Sequence, residues 1–328
     1  MTTYYDVTLR DGNHALRHQL TESFVREYCT SADSSGVWAV EVGHGNGLGA
    51  SSFLVGKSAY SDEVLLAAAR ESLNEAKLAV HTIPGFATID RDLRPAIELG
   101  VEVFRVATHV TEATVAQGHM EYLVDQDVIV HGVLMMSHMI ELAGLLANAA
   151  QMKSYGASAI ILMDSAGRFE PFEVKERVAM LHQELGLEVG FHAHNNLGLA
   201  VANAHAASGA GASIVDGAAM GLGAGSGNAQ LECIVATDHG ASHPDLRQVL
   251  GMSRLVESEF PDKLPRTTAS SIESGLAGVF SGYAPQVKQI SSEFGLRPDE
   301  LWQALADHKV IAAQESMIRE IAIELSMR

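Results

Sequence analysis

Cysteine is almost missing from this chain. Cys29 and Cys233 are the two among 328 residues, far apart and outside any CxxC pair. That excludes a disulfide framework and a thiolate metal site, and both read as reduced core thiols of a cytosolic protein. Basic residues are scarce too: 22 Lys and Arg stand against 40 Asp and Glu, a formal net charge of -18. With no Lys/Arg run to offset it, such a field repels nucleic acid and anionic membrane surfaces, so neither is expected as a partner. No stretch reaches the ~20 apolar residues that a membrane span requires. Low-complexity tracts and Pro-rich linkers are lacking. The opening Met1–Asp6 runs directly into a strand pattern, without the basic and apolar regions of a signal peptide, which leads us to expect a cytoplasmic location.

What is present is more telling. Leu9-Arg10-Asp11-Gly12-Asn13-His14 follows one strand-like run, and His192-Ala193-His194-Asn195-Asn196 follows another past the middle. Residues i and i+2 of a strand share a face, so His192 and His194, ending Leu187-Glu188-Val189-Gly190-Phe191, should project together. A metal needs a third ligand, and Asp11 is the candidate. Two imidazoles and one carboxylate on one side of an ion leave positions open for water and substrate. The alternative is a pair of satisfied core histidines with a capping aspartate.

Apolar runs at 3–8, 37–43, 77–82, 102–108, 128–135, 158–163, 187–193 and 212–216 read as strands. Helical spacing occupies 20–35, 62–76, 91–99, 112–126, 139–155, 170–186 and 198–209 between them. Several strands are apolar on both faces, as in parallel sheets covered by helices. Eight alternations over about 240 residues predict an α/β fold, a (β/α)8 TIM barrel, across residues 1–240. A doubly wound sheet is the rival, but Arg10-Asp11-Gly12-Asn13 is no Gly-rich phosphate loop. Residues 241–328 read as a helical C-terminal extension, with helices at 245–259, 271–294, 298–308 and 313–327 and loop signals at His243-Pro244, Pro261 and Pro265. Its apolar stripes (Leu301, Leu305, Ile311; Ile318, Ile321, Leu325) need cover from the barrel, a second subunit or a partner.

In such a barrel the reactive groups gather at the C-terminal ends of the strands. Those ends carry Arg10, Asp11 and His14; Glu41 and His44; Thr108 and His109; Ser137 and His138; Asp164 and Ser165; His192 and His194; and Asp216. Asp164-Ser165, before Ala166-Gly167, suits a turn and N-cap as well as a substrate contact. A divalent metal beside Arg and His suits a 2-oxo acid, whose enolate the ion would stabilise as a Lewis acid. Arg10 is permanently charged and can hold an enolate oxygen. His14 titrates near neutral pH and can take a hydroxyl proton. Arg10 can equally pair with Glu41, which would orient it.

Thr8-Leu9-Arg10-Asp11-Gly12, Glu41 and His192-Ala193-His194-Asn195 resemble the DRE-TIM metallolyase superfamily, which holds 3-hydroxy-3-methylglutaryl-CoA lyase, isopropylmalate and homocitrate synthases and pyruvate-forming aldolases. Asp11 to Gln19, Glu41 to Phe53, Arg105-Val-Ala-Thr108-His109, Leu134 to Met139, Gly221 to Ala229 and Gln314-Glu315 narrow the resemblance to the 4-hydroxy-2-oxovalerate aldolases, over nearly the whole chain. This resemblance implies retro-aldol cleavage of a 4-hydroxy-2-oxo acid to pyruvate and an aldehyde. It implies Asp11, His192 and His194 as ligands of manganese (cobalt or magnesium being alternatives), Arg10 at the enolate oxygen, His14 as base and Glu41 as part of the catalytic set. It also implies an acylating aldehyde dehydrogenase partner, with the extension in oligomer or partner contacts and the chain a homo-oligomer.

The chain departs from that pattern at Ala277-Gly278-Val279-Phe280, where the resembling family shows Tyr in the last position, and at Ala312-Ala313-Gln314, where it shows glycines. Phe280 is therefore expected at the substrate pocket without a hydroxyl, and Tyr283, about one helical turn on, could supply one. Ser165 completes the expected substrate contacts. Two other functions compete: a Claisen condensation of an acyl-CoA with a 2-oxo acid, for which no basic cluster suits the CoA phosphate, and a catalytically idle scaffold barrel.

Overall fold

Strands apolar on both faces need cover inside and out, and a closed parallel barrel ringed by helices supplies it. The structure, a computed structural model, describes residues 2–238, 244–311 and 314–327. Eight parallel strands close in sequence order: β1 (Thr3–Asp6), β2 (Ala39–Glu41), β3 (Lys77–Thr82), β4 (Val103–His109), β5 (Ile129–Met135), β6 (Ala159–Asp164), β7 (Glu188–Ala193) and β8 (Ile214–Gly217). β1 pairs with both β2 and β8, with Tyr5 beside Ala39 and Asp216, and that double pairing shuts the barrel. All eight strands match the intervals read from the sequence, with β4, β6 and β8 each running one residue further, to His109, Asp164 and Gly217.

The pleat sorts side chains into two cores. Tyr5, Val7, Ala39, Ala79, Val103, Ala107, Val133, Ile161 and Ile214 fill the barrel interior. Residues of opposite parity, such as Val40, Leu78, Phe104, Leu134 and Leu162, pack under the helices. Inward parity also places Glu41, His81, Arg105, His192 and Asp216 inside, above the apolar layers and toward the C-terminal mouth, all buried. Charge in that position is paired: Arg105 meets Asp216 and lies over the Tyr5 ring at 3.3 Å.

The helices differ from expectation in informative places. The stretch 271–294 is two helices, Ala269–Ala277 and Ala284–Phe294, joined by a turn at Ser281–Tyr283. Gly278 ends the first at φ 69°, a left-handed cap that glycine adopts without steric cost, and Pro285 opens the second. Residues 91–99 begin as a π turn, Ile89–Leu93, before Arg94–Glu98. Leu231–Thr237 is a helix that the periodicity did not flag. The last helix is Glu315–Ser326; Ala312, Ala313 and His243 lie outside the described residues.

Leu246–Glu259, expected as the start of the extension, packs on the barrel. Val249, Met252 and Val256 join the barrel's outer core, and Phe260 meets Phe24 at 4.7 Å between ring centroids. The later helices build a core of their own from Val279, Tyr283, Val287, Leu301, Trp302, Leu305, Ile318 and Ile321. Leu301 and Leu305 thus pack with Ile318 and Ile321, with Leu325 at the edge, whereas Ile311 of the expected stripe lies outside this core. Among the described residues no helix is long and apolar enough to cross a membrane, and both cysteines are free.

Candidate active site

The loop after β1 is braced before it reaches the mouth. Asp6 accepts from Thr8 N at 2.9 Å, Thr8 Oγ1 at 2.5 Å and Tyr28 OH at 2.7 Å, and Asp11 N returns to Val7 O at 2.8 Å. Arg10 and Asp11 are thereby presented together. Arg10 donates from Nε to Glu41 Oε1 and from Nη1 to Gly45 O at 3.3 Å, with Asp11 Oδ1 3.4 Å away. Its Nη2 is buried with no hydrogen-bond partner among the described residues. Glu41 accepts a second bond from Tyr5 OH at 2.9 Å. Burial alone would raise Glu41, but the Arg10 and Arg105 guanidiniums hold it below its ordinary value, so it stays ionised beneath Arg10.

Asp11 meets the two histidines as the spacing predicts. Its Oδ2 lies 3.9 Å from His192 Nε2 and 3.7 Å from His194 Nε2, and one ligand atom from each residue falls within 4.8 Å of the others. Asp11 Oδ2 and His192 Nε2 are buried without hydrogen-bond partners among the described residues. Buried polar atoms are rarely left so, and a shared cation would satisfy both. Against its own burial, His194, Arg10 and the neighbouring imidazoles hold Asp11 below the carboxylate range. Burial brings His194 down to about 4, so its ring is neutral and free to ligate.

Behind this trio, His192 Nδ1 bonds Asp216 Oδ2 at 2.9 Å, and Arg105 holds Asp216 with Nη1 at 2.5 Å and Nη2 at 2.8 Å. A proton kept on Nδ1 leaves the Nε2 lone pair facing Asp11, the usual outer support of a metal-binding histidine. The residues therefore fit a divalent ion: a hard carboxylate, two imidazoles, and a carboxylate orienting one of them. Arg105 was not read from the sequence as a site residue. The available signal was a lone cation at an inward position of an otherwise apolar strand.

A cavity of about 210 Å³ opens beside the trio. Arg10, Asp11, His14, Ser165, His194 and Phe280 line it, with Met135, Ile83 and Ile311 on apolar walls. Burial lowers the His14 imidazole, partly offset by Asp11, so it is neutral at physiological pH. Its ring occupies the space over Gly45, where a Cβ would stand 2.6 Å away, and meets Phe280 edge-on at 6.2 Å. Ser165 Oγ accepts from Met136 N at 3.0 Å and keeps its own proton to donate. Asp164, its neighbour, serves the turn, accepting from Arg168 N and Phe169 N at 3.0 and 3.1 Å.

Two expected residues stand elsewhere. Glu41 is fully buried behind Arg10, to which it is paired, and does not line the cavity. Tyr283 does not supply the hydroxyl that Phe280 lacks. Its OH donates to Ile311 O and accepts from Gln314 N at 3.0 Å within the extension's own core. It reaches the cavity only indirectly, by holding the strand of chain that carries Ile311. The extension is tied to the rim by His138 Nε2 on Gly278 O at 3.0 Å, and by Asn196 Nδ2 on Ser271 O and Ser274 Oγ at 3.1 and 2.9 Å.

Comparison with known proteins places the chain in a family. Residues 2–256 match the HMGL-like family and residues 265–327 the DmpG-like communication domain. The chain is 48% identical over 326 residues to a 4-hydroxy-2-oxovalerate aldolase of Spirochaeta aurantia, covering 98% of this chain and 96% of that one. It is 47% identical to the same-named protein of Pectobacterium atrosepticum, covering 98% and 95%. The carboxyl transferase domain of Rhizobium etli pyruvate carboxylase shares the fold at a TM-score of 0.83 and 19% identity, over 99% of this chain and 60% of that chain. A fold, a metal-competent trio and a two-part match of this extent point one way: the chain belongs to the HMGL-like family and, within it, to the 4-hydroxy-2-oxovalerate aldolases, which are carbon–carbon lyases.

Proposed function

We propose that the protein is a divalent-metal pyruvate aldolase, cleaving 4-hydroxy-2-oxopentanoate or a longer homologue into pyruvate and an aldehyde. The observation that carries this reading is the meeting of Asp11, His192 and His194 beside a cavity that Asp11 and His194 line together with Arg10 and His14. An ion held by the trio would supply Lewis acidity toward the 2-oxo acid. Manganese suits the donor set, and cobalt or magnesium would substitute.

Neutral His14 takes the C4 hydroxyl proton as the C3–C4 bond breaks. The bond's electron pair passes to C3, giving the pyruvate enolate, and the C4 carbon leaves as the aldehyde. Arg10, held by Glu41, presents its unpartnered Nη2 to the developing enolate oxygen. Ser165 donates to the substrate from across the cavity, and Phe280 closes the side toward the extension, offering shape and no hydrogen bond. Protonation of C3 completes pyruvate.

Residues 1–240 form the catalytic barrel in this reading and 241–328 the extension, whose first helix stays on the barrel. The extension contacts an acylating aldehyde dehydrogenase, which consumes the aldehyde; its match to a communication domain and its ties to the rim support that partnership. Homo-oligomerisation and a cytoplasmic location complete the proposal, the latter resting on two free thiols. A Claisen reaction with acyl-CoA is disfavoured because Arg10 is the only Lys or Arg among the described residues lining the cavity. The test is pyruvate release across a panel of 4-hydroxy-2-oxo acids with and without manganese. Metal-loaded protein that releases none from any of them would end the aldolase reading.

A further inference from the structure

Two histidines behind the site take no part in the steps above. His18 and His44 stack face to face, ring centroids 3.6 Å apart and planes 14° from parallel. The His18 ring also meets His14 edge-on at 5.3 Å. His18 sits at φ 61° and Arg17 before it at φ 53°. Two successive non-glycine residues in the left-handed region are costly, and such strain persists where the surroundings impose it. Gly56, at φ 104°, faces the His18 ring at a point where a Cβ would lie 2.5 Å from it. Backbone strain and a bare glycine together bring one imidazole to one place.

That place is the loop after β2. Gly45 N donates to His18 Nδ1 at 3.3 Å, and Asn46 N donates to His44 Nδ1 at 3.0 Å. His44 Nε2 bonds Gly56 O at 3.1 Å. An accepting Nδ1 assigns both rings as neutral Nε2–H tautomers. Burial keeps them neutral, bringing His18 down to about 3 and His44 to about 4. The Gly45 peptide held in this way touches both reacting groups. Its carbonyl accepts from Arg10 Nη1, and its missing Cβ leaves the space that the His14 ring fills. Asn13 Nδ2 fixes the same loop from the other side, on Gly43 O at 2.9 Å. Neither His18 nor His44 is among the residues lining the cavity.

We propose that His18 and His44 are positioning residues for the aldol cleavage: a stacked pair whose Nδ1 atoms clamp loop 43–46 and so set His14 and Arg10 against the substrate. This rests on the aldolase reading. The test compares two polar side chains of similar size. His18→Asn places an oxygen near the position of Nδ1, whereas His18→Gln places it near that of Nε2. Pyruvate release, metal content and Tm are measured for both. His18→Asn should keep kcat within about fivefold of wild type, while His18→Gln should lose on the order of 10²-fold, the cost of a misplaced catalytic group. KM should stay within about threefold, as for interactions made mainly in the transition state. Metal content and Tm should match between the two. Equal kcat in the two variants, or a loss that follows metal content or Tm, would overturn the proposal. If a His18 variant does not fold, the same pair at His44 decides on the same outcomes. Wild-type protein loaded with manganese is the control. Its failure to release pyruvate would overturn both readings, whereas active wild type with indistinguishable variants would overturn the positioning role alone.

Discussion

His192 Nδ1 hydrogen-bonds Asp216 Oδ2 at 2.9 Å, and with that nitrogen engaged the other, Nε2, faces Asp11. Asp216→Asn should weaken divalent-metal binding by about 10- to 100-fold. It should also lower Tm, because Arg105 is left inside the barrel without its carboxylate, a loss of about 3–5 kcal/mol for a broken buried pair. Calorimetric metal titration and thermal denaturation read the two effects separately. Unchanged metal affinity would remove Asp216 from the account of the site.

His14 and the metal ligands should separate by variant. Asp11→Asn and His192→Ala should lose metal and turnover together. His14→Ala should keep its metal and lose roughly 10²- to 10⁴-fold in kcat, the range for a removed general base. Metal analysis beside steady-state kinetics checks this, and retained turnover in His14→Ala would move the base elsewhere.

Phe280 and Tyr283 should behave oppositely. Phe280→Tyr adds a hydroxyl at the cavity and should sharpen discrimination between the C4 enantiomers of the substrate. Tyr283→Phe removes bonds to Ile311 O and Gln314 N and should destabilise the extension by about 1–3 kcal/mol, with little change in enantiomer preference. Chiral analysis of residual substrate and a denaturation curve distinguish the two; a stereochemical effect of Tyr283→Phe would contradict the placement of its hydroxyl.

Asp6 has a pH signature of its own. Burial raises its carboxyl to about 6, despite bonds from Thr8 and Tyr28 that favour the ionised form. Between about pH 4 and 6 the folded chain keeps this proton and the unfolded chain releases it, so stability falls as pH rises through that window and is level above it. The contribution is about 2–3 kcal/mol. Asp6→Asn can keep the Thr8 contacts and should flatten this part of the Tm profile between pH 4 and 6. A slope unchanged in the variant would assign the effect to other groups.

Much of this architecture was legible in the residues. Apolar runs such as Ala159–Met163, alternating with helical stretches, read as strands covered on both faces, and a His-X-His at a strand end sets both rings on one face. The metal trio followed from those two facts and one loop. Less visible were the residues that act through others. Arg105 and Asp216 lie on different strands, 111 residues apart, and no local pattern connects them. His18 and His44 stood in recognisable motifs, but their stacking arises from a left-handed turn that the sequence Arg17-His18 does not announce. The split of 271–294 was written in Gly278 and Pro285, yet the apolar spacing ran through both. Tyr283 faced away because its hydroxyl found backbone partners brought near only by the packing of the extension.

The central claim is that the trio of Asp11, His192 and His194 holds one divalent ion on which C–C cleavage depends. Stripping the protein of metal and titrating manganese back while following pyruvate release from 4-hydroxy-2-oxopentanoate tests it most directly. Turnover should be absent at the start, rise in proportion to bound ion, and level off at about one ion per chain, with no recovery in His192→Ala. Pyruvate release at full rate without metal, or full recovery in His192→Ala, would contradict it.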